Sequence, residues 1–142
     1  VRLLGLDLGS KRIGVALSDE LGLTAQPLLV LERRSRAKDI QALGELIEAH
    51  QVEEVVLGLP RRMSGELGPE AEKVQVFGRL LAEATGRPVA YWDERLSTVS
   101  AERVLLQGDV SRAKRKRVID KVAASLILQG YLDWLAARGT PA

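Results

Sequence analysis

The sequence predicts an α/β fold: one mixed five-stranded sheet, made of a three-stranded antiparallel meander and two parallel strands, with helices on both faces. Three observations carry this expectation. Short apolar runs at 2–8, 12–18 and 26–31 follow one another through turn-forming residues. Two later apolar runs, at 54–59 and 88–92, each come after a stretch of helical period. Strands separated by helices pair in parallel, through right-handed crossovers. The length suits a single domain spanning 1–142, and no internal repeat, low-complexity segment or linker divides it.

The first two runs, RLLGLDL and RIGVALS, are joined through Gly9-Ser10, which reads as a tight hairpin turn with glycine in the first central position. The third, QPLLVL, carries Pro27, which marks a strand start or a sheet edge because proline cannot donate to a ladder. From Ala37 the period becomes helical, with Ile40, Leu43, Leu46 and Ile47 on one stripe and Lys38, Glu45 and Glu48 elsewhere. EVVLGL at 54–59 returns to a strand. Gly68-Pro69 opens a second helix with Val74, Phe77, Leu80, Leu81 and Ala84 as its buried stripe, and Gly86 stops it. PVAYW at 88–92 is the fifth strand. A short helix from about Thr98 to Gln107, a polar loop and a long helix from about Arg117 to Ala137 complete the expected order.

Composition narrows the chemistry. With 46% hydrophobic and 28% charged residues the chain is globular. No apolar stretch approaches the roughly 20 residues a membrane span needs. Asp7 interrupts the one N-terminal apolar run, so no signal peptide is expected, and neither is a membrane partner. A cytoplasmic protein is the expectation. The absence of cysteine excludes thiolate metal sites, and the single histidine, His50, excludes a multi-histidine one. His50 ends a predicted helix and is given no role. Any metal must therefore be held by oxygen, which suits Mg²⁺ or Mn²⁺. The net charge of +2 decides nothing about nucleic acid, so the distribution matters. Arginine outnumbers lysine 15 to 6, a bias that suits planar contacts to phosphate and equally a GC-rich genome or a thermophilic source.

Asp7 stands out because it interrupts a strand of Leu and Gly. Alternation places it with Leu3 and Gly5, opposite Leu4, Leu6 and Leu8. A carboxylate at the margin of a core costs several kcal/mol unless a cation or metal partners it. Backbone amides or Lys11 are the purely structural alternative. On the neighbouring strand, Gly14, Ala16 and Ser18 form a small-residue face that admits a ligand near the backbone. A second acid comes from Asp93-Glu94 after the fifth strand, where ligands gather beyond the carboxyl ends of parallel strands. In an extended chain only one of that pair points toward Asp7, and alternation alone leaves open which.

The third acid is Asp120, near the start of the predicted long helix, where the helix dipole alone accounts for it adequately. Just before it, Arg112, Lys114, Arg115, Lys116 and Arg117 place five cations in six positions. Positive charge there opposes the dipole by roughly 0.3–1 kcal/mol per charge, and a phosphate ligand reverses that penalty. A solvated basic loop is the alternative. Arg61 and Arg62, in the glycine-flanked loop 60–68, are placed to close over a nucleic-acid backbone from the same side. Together the acids read as oxygen ligands for one or two divalent ions that activate water against a phosphodiester.

Four segments strengthen this reading. GLDLGSKRIGVALSD at 5–19, GLPRRMSGELGPEA at 58–71, WDERLST at 92–98 and DKVAASLILQGYLD at 120–133 resemble, in this order, the YqgF family of bacterial ribonuclease H-fold proteins. The likeness spans nearly the whole chain. It implies a ribonuclease H-like fold and a divalent-metal-dependent endonuclease. Members are described as Holliday junction resolvases and as nucleases that mature the 5′ end of the 16S ribosomal RNA precursor. Carried over residue by residue, it implies that Asp7, Glu94 and Asp120 form the catalytic, metal-holding set, favouring Glu94 over Asp93. Lys11, Arg12, Arg61, Arg62, Arg95, Arg112, Lys114, Arg115, Lys116 and Arg117 are the expected contacts to structured RNA or branched DNA. The Arg61-Arg62 pair stands where the family pattern is more variable and less basic. A homodimer is left open.

Two rivals follow from the same residues. LGLDLGS before a hairpin resembles the first phosphate motif of actin- and sugar-kinase-like ATPases, but no second phosphate loop accompanies it. A non-catalytic nucleic-acid-binding module would use the basic surface alone, and retention of all three acids argues against it.

Overall fold

A computed structural model describes residues 1–62, 64–96 and 112–138, with side chains of the last segment from 122 onward. Five strands form one sheet: β1 (Arg2–Leu8), β2 (Arg12–Ser18), β3 (Ala25–Glu32), β4 (Val52–Leu59) and β5 (Val89–Asp93). Their spatial order is β3-β2-β1-β4-β5. β1 pairs antiparallel with β2, and β2 with β3; β1 pairs parallel with β4, and β4 with β5. The expected mixed sheet is therefore observed. Pro27 sits on β3 at the sheet edge, opposite Ala16, where the register shifts.

Helix α1 (Arg36–Ala49) and helix α2 (Pro69–Thr85) cover one face. The Ser35 hydroxyl caps α1 by accepting the Lys38 amide, and Gly86 ends α2 in the left-handed conformation, φ 70°. Leu43 and Ile47 of α1 and Val74, Phe77 and Leu81 of α2 pack on Leu4, Leu6, Val15, Val55 and Leu57. Ala84, expected on the buried stripe of α2, is exposed, and Gly78 takes a buried place against Leu57 and Tyr91. Helix α3 (Arg112–Ala137) covers the other face. Its Ala123, Ala124, Ile127, Leu128, Tyr131 and Leu132 pack on Leu3, Ala16, Val56 and Trp92. Among the described residues no helix is long and apolar enough to cross a membrane.

The β1–β2 turn and the start of the last helix depart most from expectation. In the β1–β2 turn, Leu8 pairs with Ile13 and the Gly9 amide donates to the Arg12 carbonyl at 2.9 Å, so Ser10 and Lys11 are the central residues. Gly9 is not among the positive-φ residues; its need is space, since a Cβ there would lie 2.7 Å from the Arg12 oxygen. Helix α3 begins at Arg112 rather than near Arg117, so the basic run is helical and not a loop. Lysine and arginine are good helix formers, and they extend the helix without an apolar stripe to announce it. The helix expected at Thr98–Gln107 lies outside the described residues.

Candidate active site

Asp7 and Glu94 both lie at the carboxyl ends of parallel strands, at the end of β1 and just past β5. Asp7, the penultimate residue of β1, is 7% exposed. Its neighbour on β2 is Gly14, and the β1–β4 register, Leu6 against Leu57, brings Gly58 alongside on the other flank. Asp7 therefore stands between two positions without side chains, on the α3 face. The small-residue face expected on β2 is used otherwise beyond Gly14. Ala16 is fully buried in the α3 core, and the Ser18 hydroxyl accepts the Leu3 amide at 2.8 Å.

Strand β5 places Trp92 opposite Gly58 on this face and turns Asp93 to the other side. The chain then tightens into a single 3-10 turn, Glu94–Leu96, which returns Glu94 to the α3 face. Glu94 Oε1 lies 2.9 Å from the point where a Cβ on Gly58 would be. So the glycine leaves the space into which the Glu94 carboxylate reaches, beside Asp7. A glycine inside the apolar strand EVVLGL is a signal of close approach, but not of which group approaches.

Asp93 is committed elsewhere. Arg95 donates to it from Nε at 3.1 Å to both oxygens and from Nη2 at 2.7 Å, its backbone amide adds a bond at 3.0 Å, and Arg61 Nε lies 3.7 Å away. The Arg95 hydrogen bonds hold the Asp93 carboxyl below the ordinary range against a weaker opposing effect of burial. This geometry separates the two adjacent acids.

The expected nucleic-acid contacts divide. Arg61 and Arg95 face Asp93, and Arg61 Nη1 also donates to the Gly65 carbonyl at 3.1 Å, so the loop is tied to the end of β5. Arg62 and Lys11 are exposed, and Arg12 lies 4.0 Å from Glu32. Arg112, Lys114, Arg115, Lys116 and Arg117 occupy the first two turns of α3, whose first turn contains no acid. Asp120 lies about two turns inside that helix, roughly 12 Å along its axis, where the end-dipole effect has faded. The dipole therefore accounts for it less well than the expected later helix start allowed.

Among the described side chains no group of three metal-ligating residues is gathered; Asp120's side chain lies outside them. What the described residues supply is a pair of carboxylates on one sheet face, hard oxygen donors of the type that suits Mg²⁺ or Mn²⁺. Sequence reasoning missed Gly58 and the pairing of half-buried Arg33 with buried Asp39 under the β1–β2 hairpin. Asp39 shares the spacing of Leu43 and Ile47, and an acid on an apolar stripe was the signal available.

Residues 1–134 match the family described as "RuvX: Holliday junction resolvase". A protein of Carboxydothermus hydrogenoformans named "Putative pre-16S rRNA nuclease" is 58% identical over 134 residues, covering 94% of this chain and 97% of that one. The protein of the same name from Moorella thermoacetica is 57% identical over 139 residues, covering 98% and 99%. Among solved structures, T. thermophilus RuvC in complex with Holliday junction substrate superposes with a TM-score of 0.59 at 17% identity, covering 94% and 96%. The Fowlpox virus resolvase bound to Holliday junction DNA gives 0.56 at 11%, covering 95% and 99%. At these identities the structures speak for the fold alone, the ribonuclease H-like arrangement of the sheet.

Proposed function

Because the chain belongs to the RuvX Holliday junction resolvase family, we propose that it is a divalent-metal-dependent endonuclease with Asp7, Glu94 and Asp120 as its catalytic acids. The observation that carries this reading is the placement of Glu94 Oε1 over Gly58, on the face and flank of the buried Asp7. Asp7, Glu94 and Asp120 would hold the ion. Bound Mg²⁺ or Mn²⁺ supplies Lewis acidity to a phosphate oxygen and acidifies the attacking water. Asp7, buried at the end of β1, is shielded from bulk water, while Glu94 approaches from the end of β5. Arg62, Lys11 and the basic first turns of α3 would bind phosphates along the strand ends, positioning the backbone without specifying sequence.

The substrate we infer is the 5′ region of the 16S ribosomal RNA precursor, supported by relatives of that name over nearly the full chain. Four-way DNA is the second reading, favoured by the family description. The test is a parallel cleavage assay on precursor RNA and four-way junction DNA, with Mg²⁺ or Mn²⁺ and then with EDTA. Cleavage of the RNA at its 5′ side, lost in EDTA, is expected. Undiminished cleavage by metal-stripped protein would overturn the metal role, and cleavage of the junction alone would overturn the RNA assignment.

A further inference from the structure

An ion pair between half-buried Arg33 and buried Asp39 lies beneath the hairpin that follows Asp7. Arg33, just past β3, donates from Nε to Asp39 Oδ2 at 2.9 Å and from Nη1 to the Gly9 carbonyl at 2.8 Å. Asp39, in the first turn of α1, is 4% exposed, and its other oxygen accepts the Arg34 amide at 3.0 Å. The Arg33 backbone amide donates to the Lys11 carbonyl at 2.8 Å. Phe77 of α2 supports the guanidinium from below, its ring centre 5.6 Å from Cζ. One residue thus holds the hairpin at both Gly9 and Lys11, and α1 holds that residue.

Stability alone does not explain the arrangement. A carboxylate buried against a cation is often no better than apolar residues of similar volume, and Asp39 sits where Leu43 and Ile47 continue an apolar stripe. What an apolar pair cannot do is donate to the Gly9 carbonyl. Gly9 is two residues past Asp7, and its amide closes the turn onto Arg12. Fixing that carbonyl fixes the end of β1.

We propose that Arg33 is a positioning residue for the acidic site. Anchored by Asp39, it clamps the β1–β2 turn and holds the Asp7 carboxylate in working register. The inference rests on the function proposed above for Asp7, and its test separates the two. Arg33→Ala leaves Asp39 buried without its guanidinium, so the decisive variant is the double substitution Arg33→Met, Asp39→Leu, which keeps the volume and removes the grip on Gly9.

The double variant is expected to melt near the wild type, to exchange the Ser10 and Lys11 amides faster, and to bind Mn²⁺ more weakly by calorimetry. Its kcat should fall about tenfold to a hundredfold with KM nearly unchanged, the scale of a misplaced catalytic group. In Arg33→Ala, guanidinium ion below denaturing concentration should restore turnover, and in the double variant it should not. A double variant with wild-type kcat overturns the proposal. If the wild type itself cleaves neither substrate, the nuclease reading has failed by itself; the clamp is then judged on Mn²⁺ affinity and amide exchange, and unchanged values for both overturn it.

Discussion

Replacing Gly58 by alanine is the sharpest probe of the acidic pair. The added Cβ would lie 2.5 Å from Ile127 Cδ1 and 2.9 Å from Glu94 Oε1, where ordinary contact begins at 3.4 Å. The carboxylate must therefore retreat by about half an ångström, which is the tolerance within which a catalytic group has to be held. A full ångström of misplacement can cost on the order of a hundredfold, so about tenfold in kcat is expected for Gly58→Ala. The stability cost should sit at the low end of the overpacking range, about 1 kcal/mol, because the obstructing Ile127 atom is the far end of a side chain. That corresponds to roughly 3 °C in Tm for a chain of this size. Gly78→Ala is the matched control. It crowds Leu57 Cδ1, 2.9 Å away, and the Tyr91 hydroxyl, on the face of the sheet opposite the acids. Single-turnover cleavage and thermal melts of both variants decide the matter. Wild-type kcat in Gly58→Ala, or an equal kcat loss in Gly78→Ala, would refute the placement of Glu94 as a working group.

Asp7→Asn, Glu94→Gln and Asp120→Asn should each abolish turnover while circular dichroism stays native; wild-type turnover in any one removes that residue from the set. Burial, with Glu54 beside it, pushes the Tyr131 phenol up from 10.0 to about 12. A raised folded-state value means stability is complete below pH 10 and is lost as pH rises from there to about 12, and Tyr131→Phe should flatten that limb of a Tm-against-pH curve. Asp93 has the opposite sign: its depressed carboxyl, held by Arg95, keeps the loop tether intact above the ordinary 3.8 and releases it only as pH falls below, so acid melts of Asp93→Asn should lack that step. For the basic turns of α3, Lys114→Gln with Lys116→Gln should flatten the log–log salt dependence of RNA binding by nearly two phosphate contacts, and an unchanged slope would defeat the phosphate role.

The sheet was legible because its strands are apolar runs between turn residues, and a parallel strand buried on both faces reads as a nearly continuous run. The first two helices were legible from period and from Gly68-Pro69 and Gly86 at the ends of α2. The start of α3 was not, since the sequence of Arg112–Arg117 is basic and carries no apolar stripe for the pattern to report. The turn slipped by one residue because Gly9-Ser10 has the composition of a glycine-first turn, whereas Gly9 is needed for its close approach to the Arg12 carbonyl. Asp7 was legible as a charge inside an apolar strand. Which of Asp93 and Glu94 turns to the Asp7 side was not legible in strand alternation, because it depends on a 3-10 turn starting immediately after β5 and on Arg61 arriving from a distant loop. Local pattern reports periodicity; it does not report which groups 24 residues apart, such as Gly9 and Arg33, meet in space.

The direction of α3 links these pieces. Ala124 and Leu128 lie against Gly5, Ile127 against Gly58, and Gly130 and Tyr131 against Trp92, while Leu132 packs in the same core as Leu3. The helix therefore runs toward the amino ends of β1 and β4 as its numbering rises, and its earlier residues lie toward their carboxyl ends. One turn back from Ala124 is Asp120, a step of about 6 Å along the axis. From Gly5 to Asp7 along β1 is a step of nearly the same length, about 7 Å. Helical rise alone thus brings the backbone of Asp120 level with the strand row that holds Asp7. The glycine at position 5 is what lets the helix lie this close: a Cβ there would stand 2.6 Å from Leu128 Cβ and 3.1 Å from the Ala124 carbonyl oxygen. Neither obstruction is the flexible end of a side chain, so Gly5→Ala has to lift α3 itself. That substitution should weaken any metal affinity that depends on Asp120 while leaving the Glu94 side of the site in place, and a Gly5→Ala protein that melts lower yet binds Mn²⁺ as tightly as the wild type would separate α3 from the acidic site.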